Sequence, residues 1–242
     1  MANQALLKTS AHEVLPTHGG TASSLNWSGY AVTPGSGITG VSSTFTVPSA
    51  GLLPPGFSAT WAGIGGYNTS DLIQAGVSEN SPIGGLISGG QYNAWYEILP
   101  ATETPLSNCS GNSACTVKPG DVVSVNINQT SSGQWDVSLK DPAEGWTFDK
   151  SIAYTSTGSS AEWIYEAPTV LVQTIPAGTG TTHFGPTSTY TTSSGTHTIA
   201  SGNPTMIDMG PGIGINEATP SALAADGQSF NVCAYAQTCP TP

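Results

Sequence analysis

Seven side chains in this sequence have the types and spacing to do chemistry together: Trp61, Gln74, Asn93, Trp95, Glu97, Glu162 and Glu166. Each lies in a short run rich in Val, Ile, Thr, Tyr and Trp, in which successive residues point to opposite sides of a strand. In 71–78 the apolar series Ile73, Ala75, Val77 leaves Gln74 on the other side. In 92–98 the series Tyr92, Ala94, Tyr96, Ile98 leaves Asn93, Trp95 and Glu97 there, and in 161–166 Ala161, Trp163 and Tyr165 oppose Glu162, Ile164 and Glu166. Trp61 opens WAGIGG, whose small residues permit close backbone approach. If these strands share one sheet, aromatic rings, amides and acids converge on its non-core face, as in a binding cleft. Taken singly, a strand Glu is a solvated residue and a strand Trp belongs to the core; the convergence carries the reading.

A carboxyl with a reference pKa near 4.3 can take and return a proton, and a carboxamide beside it can donate to an oxyanion without titrating. Amide hydrolysis needs an activated water, a stabilised oxyanion and a proton for the departing amine. Other chemistries lack their signatures: there is no G-x-S-x-G elbow, no H-E-x-x-H motif, no P-loop and no dinucleotide glycine fingerprint. His12, His18, His183 and His197 have no spacing suited to a metal or a triad and read as surface residues. A carboxylate-based hydrolase or a binding module is left.

The elements that must position these groups follow from composition and pattern. Of 242 residues only 8% are charged, while Gly (30) and Pro (18) are plentiful, which excludes a helical bundle with charged wet faces. Six Trp and eight Tyr argue against disorder. Strands are predicted at 25–32, 39–47, 57–65, 71–78, 91–99, 121–129, 133–140, 146–154, 161–168, 182–191, 196–200, 205–210 and 228–235, with one short helical turn over 219–225. No repeat and no long linker divides them. The expected architecture is all-β, two packed antiparallel sheets in one domain over 25–242, preceded by an unpatterned extension over 1–24.

The net charge of −11, with four Lys and no Arg, makes nucleic acid and anionic membrane surfaces improbable partners. So few cations leave few carboxylates in ion pairs, so little paired charge is lost in acid, and the composition suits acidic surroundings. Cys109 with Cys115 and Cys233 with Cys239 read as two local disulfides, each contributing about 2 kcal/mol on a chain-entropy basis. The rival, zinc, is poorly served by C-x5-C with no His nearby. No apolar run reaches a membrane span, and the N-terminus lacks signal-peptide features, so disulfides without a signal suggest a processed or recombinant form. The N-x-S/T sequons at Asn26, Asn68, Asn108 and Asn128 matter only for a chain secreted by a eukaryote.

In order, NWSGYAV, SSTFTVP, TWAGIGG, LIQAGV, YNAWYEILP and AEWIYE resemble the glutamic peptidases, or eqolisins, over about Asn26 to Pro168. Beyond that the likeness weakens, with HFGPTSTY and DGQSFNV still compatible. The resemblance implies a lectin-like sandwich of two antiparallel sheets of about seven strands each, secretion, and hydrolysis of polypeptides at acid pH without metal or cofactor. It implies a catalytic Gln at Gln74, a catalytic Glu at Glu166 rather than Glu162, a cleft Trp at Trp61 and a cleft acid at Glu97. Trp95, Asn93 and Glu162 join these as expected substrate-binding residues, and a monomer is expected. Gly65, Ser78 and Asn93 stand where characterised members carry Asp, so like-charge repulsion is expected to raise the Glu166 pKa less, and the acid optimum is expected to differ. Residues 1–24 are then a propeptide remnant. The rival readings are a glycoside hydrolase or carbohydrate-binding sandwich, and a non-catalytic adhesive domain.

Overall fold

Alternation decides which residues of 134–141 are buried: Trp135, Val137 and Leu139 turn inward while Gln134, Asp136 and Lys140 face out. The same beat runs through most of the chain. The structure, a computed structural model, describes residues 15–16, 20–34, 37–51, 54–81, 90–169, 174–211 and 216–242. Its strands are β1 (Leu15–Pro16), β2 (Thr21–Ser24), β3 (Trp27–Val32), β4 (Ile38–Thr46), β5 (Gly56–Gly65) and β6 (Leu72–Ser81). They continue with β7 (Gln91–Ile98), β8 (Thr104–Pro105), β9 (Val122–Ser131), β10 (Gln134–Asp141), β11 (Trp146–Ala153) and β12 (Ala161–Glu166). The last are β13 (Thr181–Phe184), β14 (Thr189–Thr192), β15 (Gly195–Thr198), β16 (Pro204–Met209), β17 (Ala218–Pro220) and β18 (Phe230–Ala234).

One layer runs β2–β16–β3–β12–β5–β6–β7–β8. The other runs β11–β10–β9–β4 and continues through β13 or β14, then by β18 and β17 back to β16. The expected two-layer antiparallel sandwich is formed, its layers joined at their edges into one hydrogen-bonded sheet of eighteen strands among the described residues. It is antiparallel except where β16 runs parallel to β2. Between the layers Ile73, Val77, Trp163 and Tyr165 pack with Phe45, Val125 and Val137 in a dry core.

Three local expectations change. Thr21–Ser24, inside the stretch expected as an extension, is a strand of the sheet. The predicted strand 182–191 divides into β13 and β14 because Pro186 has no N–H for a ladder. Residues 219–225 form no helix: Thr219 pairs with Cys233, and the Ser221 and Ala224 N–H groups donate to the carbonyls of Asn231 and Ser229. Cross-strand partners there outweigh a weak helical propensity. The expected disulfides are formed, Cys109–Cys115 and Cys233–Cys239, each with 5.5 Å between Cα atoms.

Candidate active site

Register aligns the chemically interesting residues in three rows across β12, β5, β6 and β7. Glu162 lies opposite Gly63, Gly63 opposite Gln74, and Gln74 opposite Glu97. The next row holds Ile164, Trp61, Gly76 and Trp95, and the third Glu166, Ala59, Ser78 and Asn93. All seven candidate residues thus share one face of one layer, as alternation requires. The face is not an open surface. Trp27, Trp61, Leu72, Trp95, Ile164 and Ile207 form a second apolar cluster on it, and Gln74, Glu97, Glu162 and Glu166 are almost fully buried. Trp61 and Trp95 are wholly buried as well, so they build the floor of the site.

Glu166 is held at both oxygens. The Trp61 indole Nε1 donates to Oε2 at 2.7 Å and the Asn26 amide Nδ2 donates to Oε1 at 3.3 Å. Asn26 is fixed by the turn into β3: Ser24 Oγ donates to Asn26 Oδ1 at 3.3 Å and accepts the N–H groups of Asn26 and Trp27. Trp27 meets Trp61 edge-on at 5.0 Å. On the neighbouring strands Gln74 Nε2 donates to Glu97 Oε2 at 2.6 Å. The Glu97 charge also raises the Glu166 pKa.

Burial is the first cause of the unusual acidity here. It drives the Glu166 pKa well above the carboxylate range; the Trp61, Trp27 and Asn26 donors pull it back, and the Glu97 charge adds to the rise. Within this site desolvation exceeds the Glu97 repulsion as the cause of the rise. Glu162 is raised for the same reason, opposed by the Ser160 hydroxyl and the Tyr67 backbone and reinforced by Asp71. Glu103, from the segment before β8, is pushed up to about 8 by burial and by Glu97. Its Oε2 accepts from Ser78 Oγ at 3.4 Å. Glu79 is also wholly buried and raised by desolvation, but it alternates to the opposite face of β6, among the interlayer residues beside Tyr165.

Glycines let the rows close. A Cβ on Gly76 would strike the Thr60 carbonyl oxygen and come within 2.6 Å of Trp61 Cβ, so only glycine allows the indole to lie across β6. Gly76→Ala is expected to cost about 1–3 kcal/mol or more by overpacking and to displace Trp61 from Glu166. Thermal melting with tryptophan fluorescence checks this; an unchanged melting point and spectrum would contradict it. Gly65 has φ +88°, and a Cβ there would meet the Asp71 carbonyl oxygen and lie 3.0 Å from Asp71 Oδ2. That explains why this backbone holds no aspartate at position 65.

His183 hydrogen-bonds Asn231 on β13 and β18, and His197 stacks on Tyr190 at 5.1 Å on β14 and β15. Both lie in the other layer, while His12 and His18 lie outside the described residues. Sequence reasoning missed three participants. Asn26 stands out in the sequence only as a sequon, yet it is buried against Glu166. Trp27 sits beside it in NWSGYAV, and that motif was the available signal for both. Glu103 lies between Pro100 and Pro105 with no periodicity to mark it.

A family model described as the Peptidase A4 family matches residues 25–226. Among curated proteins, Aspergillopepsin-2 of Aspergillus niger is 28% identical over 198 residues, 68% of this chain and 64% of that protein. The chain thus spans under two thirds of that relative's length. The crystal structure of scytalido-glutamic peptidase with a transition state analog inhibitor has a similar fold, with a TM-score of 0.68 and 19% identity, covering 86% of this chain and 98% of that one. SCP-B, a member of the Eqolisin family of peptidases in a complex with the tripeptide Ala-Ile-His, gives 0.64 and 18%, covering 87% and 98%.

Proposed function

Given that this chain belongs to the Peptidase A4 family, the eqolisins, we propose that it is an acid endopeptidase in which Gln74 and Glu166 act together on one water. The observation that carries this reading is that Gln74, bonded to Glu97, and Glu166, held by Trp61 and Asn26, lie on one buried sheet face. Counted along β5, Gln74 and Glu166 are four residues and two strand spacings apart, roughly 16 Å between Cα atoms at ~3.3 Å per residue and ~4.8 Å per strand. One water can meet both only if the two side chains lean toward each other, Gln74 turning from Glu97.

In this mechanism ionised Glu166 takes a proton from the water as it attacks the peptide carbonyl, then returns it to the departing nitrogen. Burial keeps Glu166 mostly protonated in acid, so the base is the smaller ionised fraction, which the Trp61 and Asn26 donors favour. The Gln74 amide donates to the oxyanion and orients the water without titrating. Trp61 and Trp95 form the apolar floor, Asn93 and Glu97 contact the bound chain or its partners, and Glu162 supports the row that carries Gln74. Polypeptides are the substrates. Secretion into acidic surroundings fits the two disulfides and the scarcity of cations. No helix of the described residues is long and apolar enough to cross a membrane.

The test is hydrolysis of acid-denatured protein at pH 3 to 5 in the presence of pepstatin and chelators, beside release of reducing sugar from glucan and xylan. Gln74→Ala is expected to lower kcat about a hundredfold or more, the usual loss for an oxyanion donor. Gln74→Glu is expected to recover part of it only in acid, where the new carboxyl is protonated and can donate. An unchanged kcat in Gln74→Ala, or sugar release without proteolysis, would remove the proposal.

A further inference from the structure

We propose that Glu103, Ser78 and Asn93 form a substrate subsite that hydrogen-bonds a carboxamide or protonated carboxyl side chain of the bound peptide. The inference rests on the peptidase reading above and names what one of its subsites takes. Ser78 and Asn93 are direct cross-strand neighbours in the row that carries Glu166, with only Ala59 between Glu166 and Ser78. Ala59, a small side chain, is all that separates the reacting acid from this polar group in the row. Glu103 reaches the same place from the segment before β8, where Ser78 Oγ donates to its Oε2 at 3.4 Å. Two residues along β6, on the same face, Asn80 is nine-tenths buried, and its Oδ1 has no hydrogen-bond partner among the described residues.

No cation among the described residues is paired with this cluster. The one ion pair among the described residues, Lys118 with Glu144, joins other segments. Burial and the neighbouring Glu97 push the Glu103 carboxyl up to about 8, so in acid it keeps its proton and presents both an O–H donor and a carbonyl acceptor. With the Asn93 amide and the Asn80 oxygen the group offers donors and acceptors side by side. That set matches a primary carboxamide, which brings two N–H donors and one acceptor, or a neutral carboxyl. A thioether or aliphatic side chain of equal size would cover these polar groups without pairing them, and discrimination comes from that cost.

The experiment compares matched peptides that carry Gln or Met in turn at each position around the cleaved bond, at pH 4.5. The parent is expected to favour Gln about tenfold in kcat/KM at one position. Glu103→Leu is expected to bring that ratio near unity, Ser78→Ala to weaken it, and Glu103→Gln, whose amide also donates and accepts, to restore it. Calorimetric binding of the same peptides to Glu166→Gln reads the subsite without turnover. Discrimination in binding with no hydrolysis by the parent would fail the peptidase reading and leave the subsite standing. Hydrolysis with no ratio above threefold at any position, or a ratio untouched by Glu103→Leu, overturns the subsite, and peptides neither bound nor cut overturn both.

Discussion

Glu166→Gln is expected to lower kcat/KM for peptide hydrolysis by roughly a thousandfold or more at every pH, while the protein stays folded. The glutamine side chain has the same size and keeps an oxygen for the Trp61 indole, now at 2.7 Å from the carboxylate, so the packing of the floor is preserved. What disappears is the exchangeable proton, and general acid and base contributions of ~10² to 10⁴ each are lost together. Gln74→Ala removes less, because the acid still works on water. Glu162 supplies the decisive contrast. It shares the row of Gln74 across Gly63 and is as buried as Glu166, but its surroundings are Ser160, Tyr67 and Asp71, not the indoles. Steady-state rates of both Gln variants, with circular dichroism of each, decide the assignment. Turnover within tenfold of the parent in Glu166→Gln, or loss confined to Glu162→Gln, would move the acid's role to Glu162.

Between about pH 4.5 and pH 8 the folded state is expected to lose stability steadily, with a melting temperature lower by ten degrees or more at the upper end. Glu79, Glu162 and Glu166 are wholly buried and have pKa values driven well above the usual 4.5, and Glu103 is raised to about 8. In that window the folded chain holds protons that the unfolded chain has released. The stability these acids contribute is complete below their unfolded pKa and is lost as pH rises through the folded one. Each unit of difference is worth about 1.4 kcal/mol, and a domain of this size melts about 2–4 °C lower per kcal/mol.

Asp71, Glu144 and Asp226 have lowered values and act in the opposite sense, favouring the fold above their unfolded pKa and losing that as pH falls. Asp226 is exposed and Glu144 is paired with a solvent-exposed Lys118, where such effects are small, so the buried acids decide the slope. Glu79→Gln isolates the effect away from the active face, since both Glu79 oxygens are buried without a hydrogen-bond partner among the described residues. It is expected to melt near the parent at pH 4.5 and above it at pH 7.5. Calorimetry at pH 4.5, 6 and 7.5 reads both; a parent that melts higher at pH 7.5, or a Glu79→Gln curve parallel to the parent's, contradicts the account.

The strands and the side each residue takes were legible in the sequence because alternation is a local property of the backbone. Gln74, Glu97 and Glu166 fall on one face through a period of two that each segment carries by itself. The motifs that resemble the eqolisins lie in these same segments, so the family too was legible. The two disulfides were readable because each spans only six positions.

Burial of the candidate face was not legible. Trp27, Leu72 and Ile207 reach it from strands far apart in the chain, and only their meeting turns a half-open sheet face into a second apolar cluster. The same holds for the hold of Asn26 on Glu166, 140 positions away, and for the approach of Glu103 to Ser78. The strength of the acids belongs to the tertiary structure as well. Types and order along the chain determined which groups were available and which way each points; how dry they are was decided by what packs over them, and desolvation, which depends on every neighbour at once, sets their protonation.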